Sequence, residues 1–139
     1  MTIGDANLLV QRWHRHHKKS QGGLFALGIA DGERICGAAI VGRPVARALD
    51  DGWTAEVVRC VTDGTRNSAS MLMSRCWRVC QQMGYKRLVT YTLEQEGGTS
   101  LVAAGYRCVG RSGGGSWSRR SRPRVDKHPL QQKIRWEKP

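Results

Sequence analysis

A short polar segment, residues 62–70, carries the residue types that a phosphate-binding turn requires. Gly64 permits tight backbone geometry, and the small hydroxyl and amide side chains around it can cap a helix. The first N–H groups of the helix predicted to follow have no intrahelical acceptors and lie at the positive end of its dipole. The segment therefore predicts an anion site, and it equally suits an ordinary capped helix start. The residues expected to line the site are Val61, Thr62, Gly64, Thr65, Arg66, Asn67, Ser68 and Ser70.

Two charged residues, Glu56 and Arg59, stand in an otherwise apolar run that predicts a central strand. An unpaired charge in a sheet interior is costly, so the two residues form a salt bridge or serve a function. Burial would raise the pKa of Glu56 and suit it to take a proton from an amine, while Arg59 could contact a phosphate. Side chains three positions apart in a strand point to opposite faces, so only one should face a given cleft.

Three further residues could move protons: His14, His17 and Tyr91. If the first helix continues, the two histidines share a face, and imidazole titrates near neutrality. The alternative is a solvated basic helix end beside two lysines. No metal site is expected, because no paired cysteine or carboxylate stands at ligand spacing. Tyr91 could act as a general acid or simply pack within its strand.

The charge balance favours a polyanionic partner. The 139 residues include 23 Lys and Arg against 11 Asp and Glu, a formal net charge of +12, and much of the excess lies after residue 110. Clustered arginines can neutralise phosphates while tryptophan rings stack on exposed bases, so DNA is the first candidate partner. The residues expected to contact nucleic acid are Arg43, Arg59, Trp117, Arg119, Arg120, Arg122 and Arg124.

These residues need a scaffold, which the hydrophobic periodicity supplies. Helices are predicted over residues 6 to about 16, 67–83 and 99–104, and strands over 24–29, 34–41, 53–61, 87–93 and 106–109. Asp31-Gly32 is expected to form a two-residue hairpin turn. The strand–helix–strand order around residues 53–93 implies one parallel pair in an otherwise antiparallel sheet. Residues 127–136 could add a short closing element.

The bulk properties fit one compact domain of ordinary core size. No apolar run reaches membrane length, no signal sequence is recognisable, and a cytoplasmic location without membrane partners is expected. The five cysteines form no CxxC pair and are expected to be buried thiols. The oligomeric state stays open, with a homodimer among the candidates.

The predicted element order resembles that of the GNAT family of acyl-CoA-dependent acyltransferases, over roughly residues 6–110. Several short motifs look more narrowly like small phage- and prophage-borne GNAT-like proteins, a set similar to the phage Mom protein, which modifies adenine in DNA against restriction. The motifs are His14-Arg15-His16-His17, Val41-Gly42-Arg43-Pro44-Val45, Glu56-Val57-Val58-Arg59, Asp63-Gly64-Thr65-Arg66-Asn67, Thr90-Tyr91-Thr92 with Glu96, Ser100-Leu101 and Gly105-Tyr106.

The resemblance implies an α/β (α+β) fold with a mixed, mainly antiparallel twisted sheet flanked by helices. It implies acetyl-CoA or a related acyl-CoA in a gap between the two parallel strands, and acyl transfer to a DNA base, with adenine the first candidate. A protein or peptide N-acetyltransferase and a non-catalytic DNA-binding protein remain alternatives. The division would be a GNAT-like domain at 1–110 and a basic extension packed on it at 111–139.

One departure from the family pattern concerns the anion-binding turn. GNAT proteins usually place Gln or Arg and then Gly-x-Gly or Gly-x-Ala before the helix, whereas residues 63–67 here contain one glycine. An altered loop implies a different manner of holding CoA, a different donor, or loss of the cofactor.

Overall fold

The computed structural model describes residues 1–13, 19–20, 22–112 and 133–139, and all structural statements refer to these. They form three helices, a single 3₁₀ turn at Arg47–Leu49, and six strands. The helices are α1 (Ile3–Trp13), α2 (Ser68–Gln82) and α3 (Thr99–Ala103). The strands are β1 (Phe25–Asp31), β2 (Arg34–Gly42), β3 (Thr54–Thr62), β4 (Arg87–Leu93), β5 (Arg107–Ser112) and β6 (Lys133–Lys138).

All six strands form one sheet in the order β1-β2-β3-β4-β6-β5. The pair β3–β4 is parallel and the other four pairs are antiparallel. The mixed, mainly antiparallel sheet and the single parallel pair joined by a helix confirm the predicted fold class.

Each face of the sheet carries its own apolar cluster. On one face, α2 packs Leu72, Met73, Cys76 and Cys80 onto alternate residues of β2, β3 and β4, among them Ala39, Val41 and Ala55. On the other face, α1 packs Ala6 and Val10 onto Ala38, Ile40 and Val61. The amphipathic stripe predicted for α2 therefore faces the larger core, because residues three and four apart share one side of a helix.

The C-terminal strand shows what the sequence reading missed. The sequence predicts 106–109 as the final strand and a short closing element of unspecified type over residues 127–136, whereas the structure has a strand at the end of the chain, β6, which lies between β4 and β5 rather than at an edge. Alternation along β6 places Trp136 in the core below α2 and α3 and leaves Arg135 and Glu137 on the opposite face.

Two smaller expectations are corrected. The hairpin turn is formed by Gly32 and Glu33, because Asp31 still pairs with Arg34 as the last residue of β1. Cys108 is exposed and not a buried thiol, since it lies on β5 at the edge of the sheet.

A β-bulge in β3 overturns the expectation that Glu56 and Arg59 face opposite sides. Ile40 pairs with Arg59 while the next residue, Val41, pairs with Val57, so Val58 is an additional residue without its own partner. One inserted residue reverses the alternation of every side chain beyond it. Glu56 and Arg59 consequently share the α1 side of the sheet, where their charges interact.

Gly98 offers a test of the packing around β6. Its φ of 67° is left-handed, and a Cβ there would lie 2.3 Å from the Trp136 ring. Gly32 has nearly the same φ, 65°, with open space around it. We expect Gly32→Ala to lower the free energy of unfolding by about 1 kcal/mol through backbone strain alone. Gly98→Ala should lose about 2 kcal/mol more, because Trp136 must move.

Urea denaturation of the two variants beside the wild type measures both losses. Equal losses at the two glycines would show that Trp136 is not fixed against the start of α3.

Candidate functional site

The parallel strands β3 and β4 separate soon after they begin. They pair only at Thr54–Arg87, Ala55–Leu88 and Glu56–Val89, although β3 continues for six more residues and β4 for four. Beyond these pairs β4 follows β6, with which it pairs from Leu88 to Leu93. One link crosses the divide, a hydrogen bond of 3.3 Å from the Thr90 hydroxyl to the Val57 carbonyl. A gap therefore opens between the carboxyl-terminal halves of β3 and β4.

The turn after β3 leads into α2 and uses part of its own hydrogen-bonding capacity. The Gly64 N–H donates to the Thr62 hydroxyl at 3.3 Å, and the Thr65 N–H donates to the Asp63 carboxylate at 2.9 Å. The Ser68 N–H donates to the Thr65 carbonyl at 3.1 Å. Three of the amides that the sequence offered to an anion are thus satisfied within the loop.

Four other amides at the start of α2 stay available. Asn67, the N-cap residue, has a left-handed φ of 63° and makes no side-chain capping bond. Within the described part of the chain, no acceptor binds the backbone N–H groups of Arg66, Asn67, Ala69 and Ser70. Because such groups carry the positive end of the helix dipole, they form a concentrated anion-binding position.

A charged pair braces this turn from the β1–β2 hairpin. Arg34 lies 2.8 Å from the Asp63 carboxylate and also donates to the Thr65 hydroxyl at 3.3 Å. Hydrogen bonds from the Thr65 side chain and backbone, together with Arg34, hold the pKa of Asp63 below its usual value. Arg34 thereby offsets a negative charge that would otherwise face an incoming anion. No spacing pattern predicts this pair, because 29 positions separate its members.

A groove of about 270 Å³ lies beside the start of α2, against α3. Its lining is formed by Ser70, Met71, Ser74, Arg75, Arg78, Ala103 and Ala104. Arg75 and Arg78 are exposed and make no ion pair with any described residue. The sequence periodicity places both arginines off the apolar stripe of α2. That position fits a charged groove, but it does not predict one.

Glu56 lies at the last paired position before the gap and is 6% exposed. Burial raises the pKa of its carboxyl, while a hydrogen bond from the Val45 N–H to Oε1, at 3.1 Å, and the charges of Lys133 and Arg59 oppose that rise. One carboxylate oxygen thus holds the β2–β3 connection. A carboxylate with a raised pKa suits proton transfer near neutral pH.

Tyr91 lies on the same side of the sheet, two residues beyond the last β3–β4 pair. Burial and the Glu56 charge raise the pKa of its phenol, and Arg135 opposes this through its charge and a polar side-chain contact. The phenol therefore keeps its proton at neutral pH and can donate it. The structure brings Glu56 and Tyr91 together at the mouth of the gap.

The remaining predicted residues lie as follows. Val61 is 4% exposed and its side chain packs under α1, so only its backbone could face a ligand. Arg43 is exposed and paired with Asp50 at 3.0 Å, and Arg59 is half-buried, donating to the Val58 carbonyl at 2.7 Å. Burial lowers the pKa of Arg59 and the nearby Glu56 raises it. His14, His17, Trp117, Arg119, Arg120, Arg122 and Arg124 lie outside the described residues.

The described ranges contain neither a metal-binding cluster nor a membrane-spanning helix. No three His, Cys, Asp or Glu side chains there converge on a position that could hold a metal ion. No helix among them has the length and apolar character needed to cross a bilayer.

Glu56 generates a pH-dependent prediction. Because its pKa in the folded protein lies above the ordinary value of 4.5, folding disfavours the charged form. This unfavourable contribution is absent below about pH 4.5 and grows as the pH rises through the folded-state pKa. Glu56→Gln keeps an oxygen for the Val45 N–H and removes the charge. We expect the melting temperature of this variant to rise relative to the wild type between about pH 4 and about pH 8.

The matched control is Glu33→Gln in the exposed hairpin turn, which should follow the wild type throughout. A constant difference in melting temperature between Glu56→Gln and the wild type would refute the raised pKa.

Comparison with known proteins reveals similarity in fold alone. No family model matches the sequence, and no curated protein matches it either. Among solved structures, the ribosomal-protein-S18-alanine N-acetyltransferase from Escherichia coli aligns with a TM-score of 0.64 and 11% identity, over 97% of this chain and 85% of that one. A Bacillus subtilis acetyltransferase in complex with CoA gives 0.62 and 10%, over 97% and 89%.

A third structure, yncA from Salmonella typhimurium, is classed as an acetyltransferase and was solved with its cofactor acetyl-CoA. It aligns with a TM-score of 0.61 and 13% identity over 81% of this chain, which spans 62% of the length of yncA. The chain therefore has the GNAT acetyltransferase fold.

Proposed function

We propose that the protein is an acyl-CoA-dependent N-acyltransferase that modifies a base in DNA. The observation that carries the acyl-transfer part is the gap between β3 and β4 next to four available amides at the start of α2. Two of the proteins that share the fold were solved with acetyl-CoA or CoA, which supports the same class of donor here.

The donor's diphosphate would lie on the amides of Arg66, Asn67, Ala69 and Ser70, with the Arg66 side chain adding charge. Gly64, with its φ of 90°, shapes the turn, and Thr62 and Thr65 hold the loop rather than the ligand. Arg75 and Arg78 in the adjoining groove suit a further phosphate of the donor. This arrangement offers a way to accommodate an anion with a single glycine in the loop.

The reaction needs a proton acceptor and a proton donor, which Glu56 and Tyr91 provide. When bound, acyl-CoA supplies an acyl group activated as a thioester. Glu56 takes the proton that the acceptor amine releases as its nitrogen forms the amide bond, and Tyr91 protonates the departing sulfur, so amine and thioester become amide and thiol. Backbone N–H groups along the gap edge of β3 are the proposed donors to the oxyanion.

DNA is the proposed acceptor because the charge distribution favours it. The net charge is +12, and Arg43 and Arg59 lie near Glu56, with Arg59 also coupled to it electrostatically. The phosphate backbone of DNA would be bound by the basic segment that contains Trp117, Arg119, Arg120, Arg122 and Arg124. A base, with adenine as the first candidate, would be extruded toward the gap. His14 and His17 are proposed to contact this acceptor. The relation to Mom-type DNA modification and a cytoplasmic site of action belong to the same proposal.

Asn67→Asp tests the donor site. The change places a negative charge at the start of α2, where it suits the dipole, and no capping bond is lost because the Asn67 side chain makes none, so the melting temperature should not fall. The same charge opposes a diphosphate, and we expect acetyl-CoA to bind about tenfold more weakly by calorimetry, a loss of about 1.4 kcal/mol.

Gln81→Glu adds the same charge at the opposite end of α2 and should leave the affinity unchanged. Equal affinities of Asn67→Asp and the wild type would place the donor elsewhere.

The acceptor is tested by mass spectrometry of nucleosides from cells that express the protein. We expect a modified nucleoside with the wild type and little or none with Glu56→Gln. Replacing Arg120, Arg122 and Arg124 together by Ala should reduce the slope of log DNA affinity against log salt by roughly 3 if all three contact phosphates.

Acylated host protein with unmodified nucleosides would favour the protein N-acetyltransferase instead. An intact donor with salt-dependent DNA binding would identify a DNA-binding protein without turnover.

A further inference from the structure

A chain of ionic side chains crosses the sheet on the face that carries Glu56 and Tyr91. Tyr91 on β4 is paired in register with Arg135 on β6, so their side chains stand next to each other. Glu137, two residues further along β6, shares that face. Its neighbours in register are Val89 and Arg107.

Glu137 is the central member of this group of ionic side chains. It is 5% exposed, and three guanidinium groups approach its carboxylate: Arg107 at 3.3 Å, Arg135 at 3.4 Å and Arg87 at 3.6 Å. Arg87 is held in turn by the Thr54 hydroxyl at 3.1 Å. A buried carboxylate that lost its cations would be costly. The ion pairs therefore hold Glu137 and its three arginine partners in place.

Arg135 differs from Arg87 and Arg107 because part of its hydrogen-bonding capacity is unused. Its Nε and the facing Oε1 of Glu137 are buried, yet they are not aligned for a hydrogen bond, and neither atom has another hydrogen-bond partner among the described residues. The Arg135 side chain is 27% exposed, against 73% for Arg107. Its charge is therefore close to Glu137, poorly screened by water and adjacent to the Tyr91 ring.

We propose that Arg135, held by Glu137, is a positioning residue that orients Tyr91 and stabilises the phenolate formed when Tyr91 gives up its proton. The inference rests on the acyl-transfer function proposed above. The Tyr91 O–H bond breaks as the S–H bond of the departing thiol forms, and the phenolate then regains a proton from water. Arg135 favours the first step because its positive charge faces the developing negative one.

The charged groups that face Tyr91 come from two strands: Glu56 on β3, and Arg135 and Glu137 on β6. The two carboxylates favour the neutral phenol, and Arg135 favours the phenolate. Among the described residues, removing Arg135 leaves Glu56 and Glu137 as the charges that act on Tyr91, and both oppose ionisation, so the proton should become harder to remove.

Arg135→Gln tests this inference through the titration of Tyr91, which does not depend on activity. The chain has three tyrosines, and the signal missing from Tyr91→Phe identifies Tyr91 in spectra of protein labelled with ¹³C at tyrosine Cζ. We expect Tyr91 to titrate about one pH unit higher in Arg135→Gln than in the wild type. Arg107→Gln, which removes another partner of Glu137 on the neighbouring strand, should leave the Tyr91 titration unchanged.

Kinetics supply the second measurement. Thiol release should fall about tenfold in kcat in Arg135→Gln with the KM for acetyl-CoA unchanged, and the variant should add no further loss in a Tyr91→Phe background. Arg135→Lys keeps the charge on β6 and should restore part of both the rate and the titration. If Arg135→Gln does not fold, Arg135→Lys provides the variant for both measurements.

An unchanged Tyr91 titration in Arg135→Gln would overturn the inference, as would additive rate losses in the double variant. Failure of the proposed function is distinguishable, because a wild type that never releases thiol would refute acyl transfer even where the Tyr91 titration responds to Arg135.

Discussion

The separation of β3 and β4 is the constraint on which the rest of the structure depends. Two parallel strands that begin side by side would normally stay paired, since each lost pair leaves backbone groups unsatisfied. Here the facing edges of β3 and β4 make no ladder pairs beyond Glu56 and Val89, while β4 pairs along its other edge with β6, which is fixed by the buried Trp136 on one face and Glu137 on the other. The last strand of the chain thus holds β4 from its far edge, and the ionic cluster lies at the closed end of the parallel pair.

The bulge at Val58 determines which chemistry the gap can hold. Without it, Glu56 and Arg59 would lie on opposite faces, and the carboxylate would lack a nearby cation on its own strand. With it, Glu56 lies near Arg59, Lys133 and Tyr91. Burial raises the pKa of the acid and of the phenol, while Arg59 and Lys133 oppose the rise at Glu56 and Arg135 opposes it at Tyr91. Burial and opposing charges together define the proton-transfer pair.

Periodicity predicted most of the scaffold, because long amphipathic segments carry a strong signal. The span of β4 matches the prediction, and α2 differs by one residue at each end. The parallel pair followed from the order strand, helix, strand. The position of β6 did not, because the order of strands in a sheet depends on contacts between distant residues. The bulge could not be predicted from the sequence either, since strict two-residue alternation assumes that no residue is inserted.

The site was only partly accessible to the same reasoning. Residue types indicated the turn that we propose as the anion site, but which of its amides remain available depends on how Asp63, Thr62 and Thr65 fold back on the loop. Arg34 and Arg135 reach the site from other elements, Arg75 and Arg78 lie further along α2, and no local motif predicts a role for any of the four. Sequence therefore locates the loop and Glu56, while the tertiary arrangement supplies the charges around them.

The account depends most directly on where an acyl-CoA binds. Titrating CoA into ¹⁵N-labelled protein and following the backbone amide signals locates the donor without requiring turnover. The account predicts saturable shifts concentrated at Arg66, Asn67, Ala69 and Ser70 and along β3 beyond Glu56. Saturable shifts on another surface, or no shifts at a CoA concentration that saturates related acetyltransferases, would contradict it.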